Sequence, residues 1–215
     1  MKKLLIGLTS LVAISGIVAA SLHETTTEAK PISVAQNKTT ISNDKKYELA
    51  SSHAKIPYYE NINSLADQSD IIVTGHAVDK QNVYEIKTDS GEVIDTMGKT
   101  PFKIDKVVKG EIGNGSLITV MEHGRIDNGV YENIEGYVKM NDVDPYLLFL
   151  RKTGEDTYTV RGVYQGKFNI QEQQAAQQFT ANTITSSELE NLDYIGEDTE
   201  HFNTLKTEAI NEFIK

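Results

Sequence analysis

Five histidines, at positions 23, 53, 76, 123 and 201, are the first residues to weigh for chemistry. His76 and His123 fall in strand-like runs and could meet across a sheet, with Glu122 beside them. A metal site needs at least a third ligand held in register, and the sequence names none. The acidic groups Asp142-Val-Asp144 and Glu197-Asp-Thr-Glu200 lack the spacing and the central glycine of a calcium loop, so they read as solvated turns. No Gly-x-Ser-x-Gly elbow is present, and Gly113-Asn-Gly-Ser116 lacks its flanks. The glycines from 110 to 115 have no Gly-Lys-Ser/Thr ending and precede a strand, so they make no phosphate loop. No metal, cofactor or catalytic site is therefore expected.

What remains is recognition by surface. Ten tyrosines are present, and tyrosine combines apolar area with a polar tip. Tyr84, Tyr131 and Tyr137, with His76 and His123, are the candidate binding residues, and Tyr58 and Tyr59 are further members of such a patch. The plain alternative is tyrosine packed on the sheet. Two polar stretches are candidate binding loops, Gln81 to Lys99 and Arg125 to Asp144.

The elements that would carry these residues are mainly strands. Ile71 to Val78 is β-branched, and its interior Gly75 marks a bend or bulge. Val83 to Val93 reads as a hairpin around Asp89-Ser-Gly91. Thr100 to Gly110 alternates at Phe102 and Ile104 and ends at a Lys-Gly turn. Leu117 to His123 follows. Tyr146 to Leu150 is apolar without interruption, which predicts a central strand covered on both faces. Tyr158 to Val160 and Tyr164 to Ile170 complete the set. Arg125 to Asp142 shows no period and is expected to be a long loop with a short strand at Tyr137-Val138.

Two helices flank the strands. Asn63 to Gln68 is a short one, capped by Asn61 or Asn63. Thr199 to Lys215 places Phe202, Leu205, Ala209 and Phe213 on one stripe, with Asp198 or Thr199 as cap. A further short helix is expected over Gln171 to Thr180. The fold class is thus mainly β: a small OB-like β-barrel with a short N-terminal helix and a C-terminal amphipathic helix.

The termini set location and organisation. Met1-Lys-Lys precedes an apolar run to Ala20, and Val18-Ala-Ala20 supplies the small residues of a cleavage site. Residues 1–20 therefore read as a signal peptide or, uncleaved, as an anchor. Residues 21–55 are polar and read as a disordered tether, 56–170 as the barrel and 171–215 as a helical extension. The net charge is −10, and loss of the leader, with its two lysines, makes it −12. Such a chain repels phosphate backbones and anionic membrane surfaces. Absence of cysteine excludes disulfides, thiolate zinc sites and a cysteine nucleophile.

The order of these segments resembles a known scaffold. Ser64-Leu-Ala-Asp67 with Ser69-Asp-Ile-Ile-Val-Thr-Gly75 is similar to the opening of the netrin-like, TIMP-like OB-fold. Phe102 to Gly110, Asp144 to Leu150 and Gly166-Lys-Phe168 resemble its later strands, so that residues 62–170 are covered. The resemblance implies a fold also found in exported bacterial proteins. Metalloproteinase inhibitors of this scaffold chelate zinc through an N-terminal cysteine, which this chain lacks. The expectation is an exported, extracytoplasmic binding module with an extracellular or cell-surface protein as partner. The alternatives are a secreted hydrolase of unrecognised type and a structural envelope protein.

Overall fold

A computed structural model describes residues 44–171 and 175–215. The expected leader and the tether up to residue 43 lie outside the described residues.

The main sheet is built from β2 (Ile71–Ala77), β4 (Val93–Lys109), β5 (Leu117–Glu122), β8 (Pro145–Gly154) and β9 (Thr157–Val160). β2 pairs antiparallel with both β4 and β8, and β4 pairs antiparallel with β5. β5 then runs parallel to β9, which pairs antiparallel with β8. The pairings thus return to their start. β3 (Asn82–Lys87) adds a hairpin arm on the first half of β4, and β10 (Lys167–Asn169) lies along β8.

Period-two alternation sorts the side chains of these strands into two cores. Ile71, Val73, Phe102, Ile104, Ile118, Val120, Leu148, Leu150 and Val160 fill one. From the same strands, Ile72, Leu147 and Phe149 point the other way and pack under two helices. This explains the unbroken apolar run of β8, since both of its faces are covered. The helices are α1 (Ile62–Asp67) and α3 (Thr199–Phe213). The Asn61 side chain accepts from Ser64 N at 3.0 Å and starts α1. On α3, Phe202, Leu205 and Ala209 are fully buried, and each large apolar side chain so placed contributes about 2 kcal/mol.

Gly75 sits at a register shift between Thr74 and Gly75. A Cβ there would strike the carbonyl oxygen of Lys103 and come within 2.6 Å of the Phe102 ring. The bulge bends β2 over β4, and no larger residue fits.

Three stretches differ from the sequence expectation. Residues 46–52, read as tether, form β1 (Lys46–Ser52). It runs parallel to β7 (Val130–Ile134) and antiparallel to β12 (Thr183–Thr185). Only Tyr47 of this strand is buried, so its composition looks like that of a solvated segment. Backbone pairing orders it.

The second stretch is Arg125 to Asp142. Instead of a long loop it opens with a hairpin of β6 (Gly124–Asp127) and β7. Asn128 and Gly129 take φ of 47° and 85°, as a two-residue turn between twisted strands requires. Tyr137 and Val138 form no strand, although Tyr137 makes an isolated bridge to Tyr194.

The third is the C-terminal region, which is not purely helical. Besides α2 (Ser186–Asn191) and α3 it contributes β11 (Ala175–Ala176), β12 and β13 (Leu192–Tyr194). The helix expected over 171–180 is absent among the described residues there, where β11 pairs parallel with β13. The described residues form one unit. Tyr47, Tyr131, Val138, Ile184, Leu189 and Ile195 make its third core.

Candidate functional site

A groove of about 470 Å³ lies on the face of the main sheet opposite its inner core, beneath the β3–β4 arm. Register explains its lining. Lys99 of β4 stands opposite Met121 of β5, Met121 opposite Thr159 of β9, and Thr159 opposite Arg151 of β8. Paired residues on neighbouring strands point to one face, so these four form a row across four strands. The arm adds a second wall, where Tyr84 of β3 pairs with Met97 of β4 and Ile86 lies two residues on. His123, Thr153 and Thr157 complete it.

The floor is therefore apolar at Met97, Met121 and Ile86, with hydroxyls along one side and two cations. Lys99 Nζ lies 5.7 Å from the centroid of the Tyr84 ring, a cation–π contact that keeps both at the groove. No carboxylate lines the groove among the described residues. Against a net charge of −10 for the whole chain, this is a local reversal of sign. Tyr84 is 46% exposed, which leaves its ring free to cover a ligand.

His123 closes one end. Its Nε2 is 3.5 Å from Thr159 Oγ1, and its ring meets Tyr137 edge-on at 6.1 Å. Burial pushes its pKa below 6.5; the Asp95 carboxylate acts in the opposite sense, and Arg151 adds to the lowering. In the unfolded chain the imidazole takes a proton near pH 6.5, while in the fold it resists protonation. The unfolded state thus binds more protons below that pH, and stability falls as pH drops from 6.5 towards the folded pKa. Melting temperatures at pH 7.5 and 5.5 should show this decline, and His123→Gln should flatten it. An equal decline in the variant would assign the slope to other groups.

Of the sequence candidates, the structure brings only Tyr84 and His123 together in the groove. His76 is half-exposed and pairs with Asp105 at 3.1 Å. Tyr131 and Tyr137, expected at a binding surface, are instead wholly buried and offer none. Tyr131 donates to the Tyr137 carbonyl at 2.8 Å, and Tyr137 donates to Glu122 Oε2 at 3.0 Å. Burial drives both phenols well above the usual tyrosine range, and the Glu122 charge adds to it. Tyr59 is buried as well, whereas Tyr58 is exposed and stacks on His201 at 4.5 Å. No group of three metal-ligating side chains occurs among the described residues.

No protein-family model matches this chain, and no curated protein matches it significantly.

Two interior polar clusters escaped the sequence reading. Glu122 is fully buried on β5. It accepts from Gln81 Nε2 at 2.8 Å, Tyr137 OH at 3.0 Å, the Met140 backbone at 2.7 Å and the Thr100 hydroxyl. The other cluster joins Lys167 of β10, Asp193 of β13 and Lys206 of α3. In sequence these are ordinary charged residues; only the fold shows them enclosed. Met97, Met121, Lys99 and Arg151 were missed as groove residues for a related reason. Alternation marks which residues share a face, but which strands neighbour each other follows from the ring of pairings.

Proposed function

We propose that this chain is an exported, non-catalytic binding module on an OB-like barrel, and that the groove under the β3–β4 arm is its ligand surface. The closed sequence of pairings β2–β4–β5–β9–β8, with its single parallel step, supports the barrel. So do the places of the resembling segments: α1 with β2, the end of β4 at Gly110, β8, and β10. β4 and β5 are the second and third strands of that ring, and barrels of this kind bind through that face and the loops beside it. The basic, apolar leader pattern of residues 1–20 supports export.

The observation that carries the reading is the row Lys99–Met121–Thr159–Arg151, in which a methionine and a threonine lie between two cations, with Met97 and Ile86 of the arm adding apolar surface beside it. Its chemistry suits an extended segment of an extracellular protein that lays an apolar side chain on the methionines and carboxylates at the rim. A few central contacts dominate such interfaces. Partner capture from surface and secreted proteins should therefore be saturable on the wild-type chain. Met97→Glu and Arg151→Glu should each weaken it about tenfold or more, equivalent to about 1.4 kcal/mol. Tyr58→Ala, at a ring that stacks on His201 and does not line the groove, should not. Equal capture by all four proteins would remove the groove from the proposal.

A further inference from the structure

Lys167 and Asp193 form the most enclosed ion pair among the described residues, with side chains 2% and 0% exposed. Lys167 Nζ lies 2.6 Å from Asp193 Oδ1. The other oxygen, Oδ2, accepts from Lys206 Nζ at 3.0 Å and from the Asn169 backbone N–H at 2.9 Å. Above the amine stand the rings of Tyr146 and Tyr137, with centroids at 5.2 and 5.5 Å. The two carboxyl oxygens are therefore held differently. One faces a nucleophile in an aromatic enclosure, and the other rests on two donors.

That asymmetry is what acyl transfer needs. Donors aimed at one oxygen stabilise the oxyanion that forms when a nucleophile adds to the carbon. Holding both reactants in contact supplies an effective concentration on the order of 10⁵ M or more. Enclosure works in the same direction, because an ion pair out of water loses solvation that a neutral amine and acid do not need. Water expelled from such a site is also not replaced by bulk solvent, which in an open site would hold the equilibrium on the side of the free acid.

We propose that Lys167 and Asp193 condense to an intramolecular amide. Nζ hands one proton to Oδ1, giving amine and carboxylic acid. The amine nitrogen then bonds to Cγ, and negative charge collects on Oδ2 between Lys206 and the Asn169 N–H. The Cγ–Oδ1 bond breaks, and Oδ1 departs with a second proton from Nζ as water. Ammonium plus carboxylate thus become amide plus water, with no redox partner and no outside proton. Oδ2 keeps both of its donors in the product. Lys206, 11% exposed, is the positioning residue: it keeps its charge and polarises the carbonyl. The cross-link closes the segment between β10 and β13, twenty-six residues apart, in a chain that has no cysteine for a disulfide.

Intact-mass measurement of the folded, full-length wild-type protein tests this directly. The expected mass is lower than that of the chain by one water molecule. Proteolysis after unfolding should then yield a branched peptide joining Lys167 to Asp193. Lys167→Met and Asp193→Ala should each run at the full mass, and Lys206→Met should slow the appearance of the branched peptide. Recovery of separate, unmodified Lys167 and Asp193 peptides from the wild type overturns the proposal. So does loss of water without a branched peptide. Because the wild type alone gives the answer, a variant that fails to fold leaves the test intact.

Discussion

Glu122→Ala should destabilise the fold by about 4 kcal/mol or more, since it strips an acceptor from three buried donors and the half-buried Gln81 amide, at a cost of about 1–3 kcal/mol for each buried one, partly relieved by local collapse. Those donors come from separate parts of the chain: Gln81 before β3, Thr100 on β4, Tyr137 and Met140 after β7. The carboxylate therefore fastens the root of the β3–β4 arm to the stretch that follows the small hairpin. Gln81 reaches it by lying across Gly98, where a Cβ would come within 2.9 Å of Gln81 Oε1; its amide also donates to the Gly124 carbonyl at 3.0 Å. Glu122→Gln keeps the shape and one acceptor oxygen, but turns an NH₂ towards two of the donors. It should cost about 2 kcal/mol. Urea denaturation of the three proteins checks the order, wild type above Gln above Ala. An alanine variant within about 1 kcal/mol of wild type would mean that the four donors find other partners. Because Glu122 lies between Met121 and His123, the same variants should loosen the groove, seen as faster hydrogen exchange along β3.

How much of this was legible beforehand depends on which force fixes each residue. Where burial alone decides, the sequence speaks clearly. Tyr146 to Leu150 reads as a strand covered on both faces, and Phe202, Leu205 and Ala209 read as a helix stripe, because apolar spacing is the cause of both. Gly75 announces its bulge because no side chain fits there. Where backbone pairing decides, the signal fades. β1 buries only Tyr47, so its ordering energy comes from ladders with β7 and β12 that no local pattern encodes. The β6–β7 hairpin was legible in principle at Asn128-Gly129, the strongest short turn signal, but the charged residues around it hide the alternation of Ile126 and Tyr131. The site divides in the same way. Tyr84 and His123 are visible as residue types, yet their meeting depends on strand neighbours. The same tyrosine logic points to Tyr131 and Tyr137, and there the interior claims them. Residue type gives a side chain its capacity, and the topology decides whether solvent or core receives it.

Asp193→Ala is expected to be the other most damaging single change. It leaves Lys167 facing two aromatic rings without its counter-charge and removes one acceptor from Lys206. Breaking a buried ion pair from one side costs about 3–5 kcal/mol, because the remaining charge has lost both water and partner. It also strips an acceptor from the Asn169 N–H. The damage should be local at first. The triad ties β10, β13 and α3 together, so hydrogen exchange should quicken in α3 before it does in β2. A triple variant, Lys167→Met with Asp193→Leu and Lys206→Met, separates two readings of the cluster. Apolar replacement of a whole buried ionic group is often neutral or stabilising. If the cluster acts only as an ion network, the triple variant should recover most of the stability that Asp193→Ala loses. If Lys167 and Asp193 are joined covalently, the triple variant loses a cross-link as well and should stay well below the wild type, since closing such a loop restricts the unfolded chain by about 3 kcal/mol. Denaturant midpoints of wild type, single and triple variants give the comparison, and the wild-type mass fixes which of the two patterns must appear.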